Sequence, residues 1–527
     1  MARRRNLYPQ LGTDQQPLYI SRKSFAGGQN TRINASSIGE DEVIIAYNTD
    51  LSVPGQVDKR PGLTLIANDS GGRTLSMSPY YPTGGTNAIY LVETTNVKKW
   101  TGSGNWSSAL YSSLTTGLDT SIIQGGESGE NEVLFLQNGS DTPLRINSSD
   151  TFQDLGSGGT APPKTLIQIF FNNRWWVLLN GFLYYSDTFS TDYSTAFSSS
   201  NGFRFSGYGA DRGLFSIRSA DTTASSSIIV GMQNAIFGIA PSATPVSTDR
   251  PYIITTQHGM LSRKCISQMG DDIAYLAPDG IRSLKRTVND QLQVGVSYPL
   301  SYRLKDEFEN INWSQSSKFH MTFWQDKLFF FFAAVGSSEI NRCWIYWPAL
   351  DNGTGKGWAV MTGWAITATS KFFVSGQENL YGGSADGTTY QIWKGGDDNG
   401  TAISLQLETR DEDFGQPAIY KSGGEVEVVA ESVSGAYSLT VYASIDGGDY
   451  ITLGSLTIQN ASPQLPINLP FNLVASARVS KKFHLDALGR FRRIKFKVTN
   501  ADNNGSDIIR LYEINATTYP EAYEAEV

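Results

Sequence analysis

Histidine, cysteine and charge are all scarce in this chain of 527 residues, and each shortage closes off a class of function. The three histidines, His258, His320 and His484, stand far apart, so neither a metal cluster of recognisable ligand spacing nor a local His-based nucleophile signature is present. Cys265 and Cys343 are the only cysteines, which is no disulfide framework and no zinc pattern; they read as unpaired, buried small apolar residues. Charged residues make up 17% and the formal charge is −8, too modest and of the wrong sign for a general nucleic-acid coat or a membrane-surface binder. No long apolar run offers a membrane-spanning segment. The N-terminal "MARRRNLYPQ" carries Arg3 to Arg5 with no apolar stretch behind them, so the expectation is no signal peptide and assembly in a cytosolic fluid. There is no Gly-x-Ser-x-Gly elbow and no Walker-type phosphate loop. The expectation is a protein that is not an enzyme, with no catalytic residue, no cofactor and no metal. Two distant carboxylates brought together by the fold, as in glycosidases, stay open from sequence.

What the chain does have is aromatic residues, at 12%, together with 52 glycines, a balance that points to a globular, β-rich protein. From about residue 85, short aromatic or β-branched runs recur in pairs around polar turns. The pairs are "NAIYLVETTNVKKW" from Asn87, "NEVLFLQNGSDTPLRI" from Asn131, "NRWWVLLNGFLYYSD" from Asn173 and "SIIVGMQNAIFGIA" from Ser227. They continue with "DIAYLAPDGIRSLKR" from Asp272, "KLFFFFAAVGSSEINRCWIYW" from Lys327 and "ENLYGGSADGTTYQIWK" from Glu378. Turns such as Asn-Gly and Asp-Gly supply the positive-φ positions of tight hairpins, so each unit predicts strand, turn, strand. Recurrence at propeller-blade spacing predicts an all-β fold, a β-propeller of six to eight irregular blades over residues 63–400. Two stacked sandwiches are the alternative, because periodicity does not distinguish ring closure from stacking. "SADGTTYQIW" approaches the Asp-box of some propellers, with Thr388 where that motif has Gly.

One segment breaks the β pattern: Leu300, Leu304, Phe308 and Ile311 recur at helical spacing and predict a short amphipathic helix over 299–313. Beyond "GGDDNGT" strict alternation predicts a C-terminal antiparallel β-sandwich over 401–527. There "GRFRRIKFKVTN" puts Arg493, Lys495 and Lys497 on one face of a strand and Ile494, Phe496 and Val498 on the other. That basic stripe is capable of meeting phosphate or an acidic partner, or is an ordinary solvated face.

The opening of the chain carries a signature: "SFAGGQNTR" from Ser24, then "EDEVIIAYNTDLSVPG", then "DKRPG" with Lys59, Arg60, Pro61 and Gly62. A Phe-x-Gly-Gly start followed at this distance by Lys-Arg-Pro-Gly resembles the start of the tail nozzle (tail tubular protein B) family of short-tailed bacteriophages. "GFLYYSDTFSTDYSTAF" and "GMLSRKCISQMGDDIAYLAPDGIRSL" also resemble passages of phage propeller proteins of the nozzle and tail-plug type. The resemblance covers roughly residues 20–400. It implies a structural protein of the virion tail, assembled in the host cytoplasm as a ring, a hexamer in that family. Its partners would be portal and adaptor proteins, tail fibre or tip proteins, and viral DNA passing without sequence recognition. Gly27, Gly28 and Lys59 to Gly62 then have structural roles: sharp turns, close approach and redirection of the chain into the first blade. Residues 1–62 are expected to form an N-terminal arm and propeller opening, with Phe25 to Gly62 in inter-subunit contacts. The alternative is a soluble host-recognition propeller that binds or cleaves surface glycans.

Overall fold

The computed structural model describes the chain apart from residues 1–15, 69–71, 157, 206, 218–226, 243–244, 246–248, 294–297, 433–435, 460–477, 502–508 and 522–527, so Arg3 to Arg5 lie outside the described residues. Two units divide it: residues 62–355 with 361–394, and residues 1–61 with 356–360 and 395–527.

In the first of these, all seven aromatic hairpins form. Each supplies the two strands that follow an inner first strand, from Ala88–Glu93 with Asn96–Trp100 through to Gln377–Ser384 with Thr388–Ile392, and six of the seven lie in antiparallel sheets of three or four strands. Their turns use the left-handed conformations the sequence implied: Asn180 and Gly181, at φ 53° and 68°, join Arg174–Leu179 to Phe182–Ser186. The first strand of every blade is the inner one. Thr74–Tyr80, Ser121–Glu127, Gln168–Phe171 and Asp211–Ile217 touch in succession, as do Ile266–Met269, His320–Trp324 and Ile366–Val374, and the last returns to the first. Ile266 lies over Gly213, joining the fourth blade to the fifth.

The described residues thus form a β-propeller of seven blades, closed by pairing rather than by stacking. Leu63–Asn68, the first strand of the unit, is the outermost strand of the last blade, where Thr64 pairs with Gln391 and Leu63 with Ile392.

Large side chains fill the spaces between blades. Trp176, Leu183 and Tyr185 of the third blade meet Val230, Phe237 and Ile239 of the fourth. Phe135 of the second stacks on Trp175 of the third at 4.1 Å. Each such side chain taken wholly out of water contributes roughly 2–3 kcal/mol, which is why runs such as "RWWVLL" and "KLFFFF" are core.

The helix expected over 299–313 is corrected. A 3-10 turn, Leu300–Arg303, and a short α-helix, Lys305–Glu309, are separated by Leu304 at φ −94° and ψ 51°, which is not helical. Leu300, Leu304 and Ile311 are nonetheless buried, so the apolar face was real and the continuous helix was not. The longer helix is Leu284–Gln293, where a strand tail was expected; the Ser283 hydroxyl accepts the Arg286 N–H at 2.9 Å and caps its start.

The second unit is a β-sandwich built from both ends of the described chain. One antiparallel sheet runs Val479–His484, Lys421–Ser432, Ile509–Pro520, Val57–Lys59, Thr49–Asp50, with Leu18–Arg22 also on Ile509–Pro520. In the other, Ile45–Tyr47, Leu405–Glu408, Ile494–Asn500, Ala436–Ile445 and Ile451–Gln459 lie side by side. The expected boundary at 62/63 is therefore redrawn. Residues 18–59 are no free arm but strands of the C-terminal sandwich, with Val43, Ala46 and Val57 completely buried there.

Candidate functional site

The two ends of the N-terminal signature have different partners within the sandwich unit. At its start, the Gly27 N–H donates to the Asp41 carbonyl at 2.9 Å and the Gly357 N–H donates to the Gly27 carbonyl at 2.9 Å. Gly28 has φ +70°, and a Cβ there would stand 2.4 Å from the Trp358 carbonyl oxygen, so only glycine fits. Glu42 braces the turn from below: one carboxylate oxygen accepts Asn30 Nδ2 at 2.9 Å and the Gly39 N–H at 2.7 Å.

At the other end Lys59 is fully buried with its ammonium 5.3 Å from the centre of the Tyr437 ring. Arg60, 1% exposed, gives both terminal nitrogens to Asp398 at 2.8 and 2.6 Å and its Nε to Asn48 Oδ1 at 2.9 Å. The same guanidinium holds the Pro61 carbonyl at 3.1 Å. Gly62 opens the propeller unit, and its carbonyl accepts the Lys394 N–H at 3.0 Å. A second buried fork, Arg22 Nε and Nη2 on Glu412 at 2.6 and 2.7 Å, repeats the device. The signature residues are thus braces with no face left for a ligand.

The basic stripe has the expected alternation, with Ile494, Phe496 and Val498 buried and Arg493, Lys495 and Lys497 half-buried. Its two lysines already have partners. Lys497 lies 3.9 Å from the Tyr450 ring centre and 4.8 Å from Tyr442, and Lys495 lies 5.1 Å from Tyr450. Tyr450 donates its hydroxyl to Glu408 at 2.8 Å; burial first, and then the Glu408 charge, push that phenol well above its usual range. The backbone N–H of Arg493 donates to Asp446 Oδ1 at 2.8 Å. The stripe is a cation–aromatic ladder with a carboxylate at its centre.

Among the described residues no group of three or more His, Cys, Asp or Glu could hold a metal ion, and no helix is long and apolar enough to cross a membrane. Both cysteines are buried, and burial pushes the Cys265 thiol up to about 12. Sequence reasoning did not single out a polar cluster at the propeller channel, where Asp119, Arg263, Lys264 and His320 meet. Its one legible signal was the Arg263-Lys264 pair beside Cys265; Asp119 and His320 come from two other stretches of the chain.

No family model matches the chain, and no curated protein matches it. Among solved structures it is similar to BBS1N, from a crystal structure of its complex with ARL6DN, at 12% identity over 63% of this chain and 98% of that one, with a TM-score of 0.37. It is similar also to PorZ, a bacterial surface component of the type-IX secretion system of Porphyromonas gingivalis, at 12% identity and a TM-score of 0.35. That match takes in 69% of this chain and 44% of PorZ. The K1 cleaved adhesin domain of Lys-gingipain from the same species is matched over 26% of this chain and 73% of that domain, at 16% identity and a TM-score of 0.16. Likenesses this distant carry no argument; the fold rests on the strand order.

Proposed function

We propose that this chain is a structural component of a short bacteriophage tail, of the nozzle type, working as one subunit of a ring through which DNA is retained and released. The observation that supports the reading is the state of the signature. Gly27, Gly28, Lys59 and Arg60, residues that carry the family resemblance, are buried braces, Pro61 is half-buried, and Arg60 clamps Asp398 just after the chain returns from the propeller. Side chains spent on such bracing suit a load-holding platform better than a ligand site. The hexamer, the portal and adaptor neighbours and the virion location belong to the same proposal. Within the segment Phe25 to Gly62 much of the chain pairs inside its own unit, while Ile33 and Val53 stay exposed, and subunit contacts through it belong to the same proposal. The aromatics of the hairpin runs, Trp175, Trp176 and Phe329 to Phe332, are fully buried and offer the glycan alternative no stacking surface of their own.

An antibody raised against the purified protein tests the reading by electron microscopy of short-tailed particles. Label at the tail, and ring-shaped assemblies when the protein is mixed with purified connectors, are expected. Unlabelled tails together with label on the cell envelope would overturn it.

A further inference from the structure

The sandwich sheet that contains Lys421–Ser432 and Ile509–Pro520 carries exposed tyrosines and arginines together at one end of its outer face. Register and alternation gather them. Lys421 pairs with Pro520 on one side and with Phe491 on the other, and Lys421, Phe491 and Thr518 are all buried. The residues beside them point the opposite way, so Tyr420, Arg490, Arg492 and Tyr519 share the outer face with Tyr19, which pairs with Thr517. Tyr19 is 60%, Tyr519 48% and Tyr420 38% exposed.

Two guanidinium groups lie over the Tyr420 ring, Arg492 at 4.5 Å and Arg490 at 4.9 Å from its centre. A guanidinium held on a ring is fixed in place and keeps its edge N–H donors for another acceptor. The chain itself shows such an edge in use: Glu521, whose N–H donates to the Tyr420 carbonyl at 2.8 Å, gives its carboxylate to Arg490. Asp446, the other carboxylate nearby, accepts the backbone N–H groups of Arg492 and Arg493 at 3.0 and 2.8 Å. Among the described residues the Arg492 side chain has the ring but no carboxylate. Tyrosine and arginine are among the side chains most enriched at the energetic centres of protein interfaces, since each joins a broad contact surface to a directed polar edge. We propose that this face of the sandwich docks a short acidic segment of another protein, its carboxylates taken by Arg492 and Arg490 and its apolar atoms laid against Tyr519 and Tyr19. The formal charge of −8 sets the whole chain against a long polyanion, which favours an acidic protein segment over nucleic acid. The inference stands on the sandwich alone and is independent of the tail proposal.

The native chain is titrated at low ionic strength into a rhodamine-labelled Glu-Glu-Leu-Glu-Glu peptide and read by fluorescence anisotropy, with Gln-Gln-Leu-Gln-Gln as the reference. Saturable binding of the first and none of the second is expected. Arg492→Gln, at an exposed position whose loss leaves the core intact, should weaken binding about tenfold. Glu521→Gln releases Arg490 from its own carboxylate and should strengthen binding about twofold to fivefold. Lys285→Met, an exposed lysine of the propeller, should leave it unchanged. Native affinity in Arg492→Gln, or no gain in Glu521→Gln, overturns the proposal. A short single-stranded DNA that binds more tightly than the peptide, and is lost with Arg492→Gln, overturns it in favour of nucleic acid. Sedimentation of the native chain alone as a dimer that Arg492→Gln dissociates overturns it in favour of a second copy.

Discussion

Arg60 and Asp398 form a fork in which both guanidinium nitrogens meet both carboxylate oxygens, with the arginine 1% and the aspartate 15% exposed. Removing one partner of such a pair leaves an unpaired buried charge and costs about 3–5 kcal/mol, several times what a surface pair contributes. Asp58, on the next strand pairing, shows the opposite balance. It faces Asp50 across one strand and Arg510 across the other, with Arg510 Nε 3.6 Å away and Gln56 Nε2 at 3.0 and 3.1 Å. Burial outweighs Arg510, and Asp50 adds to it, so the carboxyl is pushed up to about 7 from 3.8. A folded-state value above the unfolded one means that the folded protein holds a proton the unfolded chain has released. Stability from this group is therefore present below about 4 and lost as pH rises to 7. Asp58→Asn should stabilise the sandwich unit by about 2 kcal/mol above pH 7. The gain should fade below pH 4, as read from chemical denaturation at a series of pH values; an equal gain at all pH values would show that the charge is not the cause.

Closure of the propeller is a property of one strand. Leu63–Asn68 comes from the beginning of its unit and pairs with Thr388–Ile392 at its end, so it holds the seventh blade to a chain segment more than three hundred residues away in sequence. A chain of residues 62–394 should keep its near-ultraviolet circular dichroism, whereas one of residues 72–394 should lose cooperative thermal unfolding; equal cooperativity in both would show that the ring closes without that strand. The hairpins were legible because everything that makes them is local: Asn180-Gly181 sets the turn, and the flanking aromatics set the faces. The inner strands were not. They carry Ser76, Ser121 and Thr369 where they line the channel, and nothing local names the neighbouring blades against which they pack. Strands such as Ile45–Tyr47 were unreadable for another reason, since their partner Leu405–Glu408 lies some 360 positions on. Lys59 and Arg60 stood out as a motif, but nothing near them names Tyr437 or Asp398. Likewise His320 looked isolated because its neighbours Lys264 and Asp119 arrive from other blades.

At the scale of the whole molecule, the two units differ in how the chain builds them. The propeller uses one nearly continuous stretch, 62–394 apart from 356–360, and grows blade after blade. The sandwich takes strands from 18–59 and from 405–520, so neither stretch completes a sheet without the other. That division gives the signature its physical meaning: Gly28 admits the backbone of Trp358, and Arg60 fixes Asp398. Native-state hydrogen exchange on the intact chain and on Arg60→Met tests it most directly, because it reads the stability of each strand separately. The amides of Val57–Lys59, Lys421–Ser432 and Ile509–Pro520 should share one level of protection and lose it together in Arg60→Met, by about a hundredfold or more, while Arg174–Leu179 and Lys327–Phe332 of the propeller keep theirs. Independent exchange of the N-terminal and C-terminal strands, or equal loss in the propeller, would contradict it.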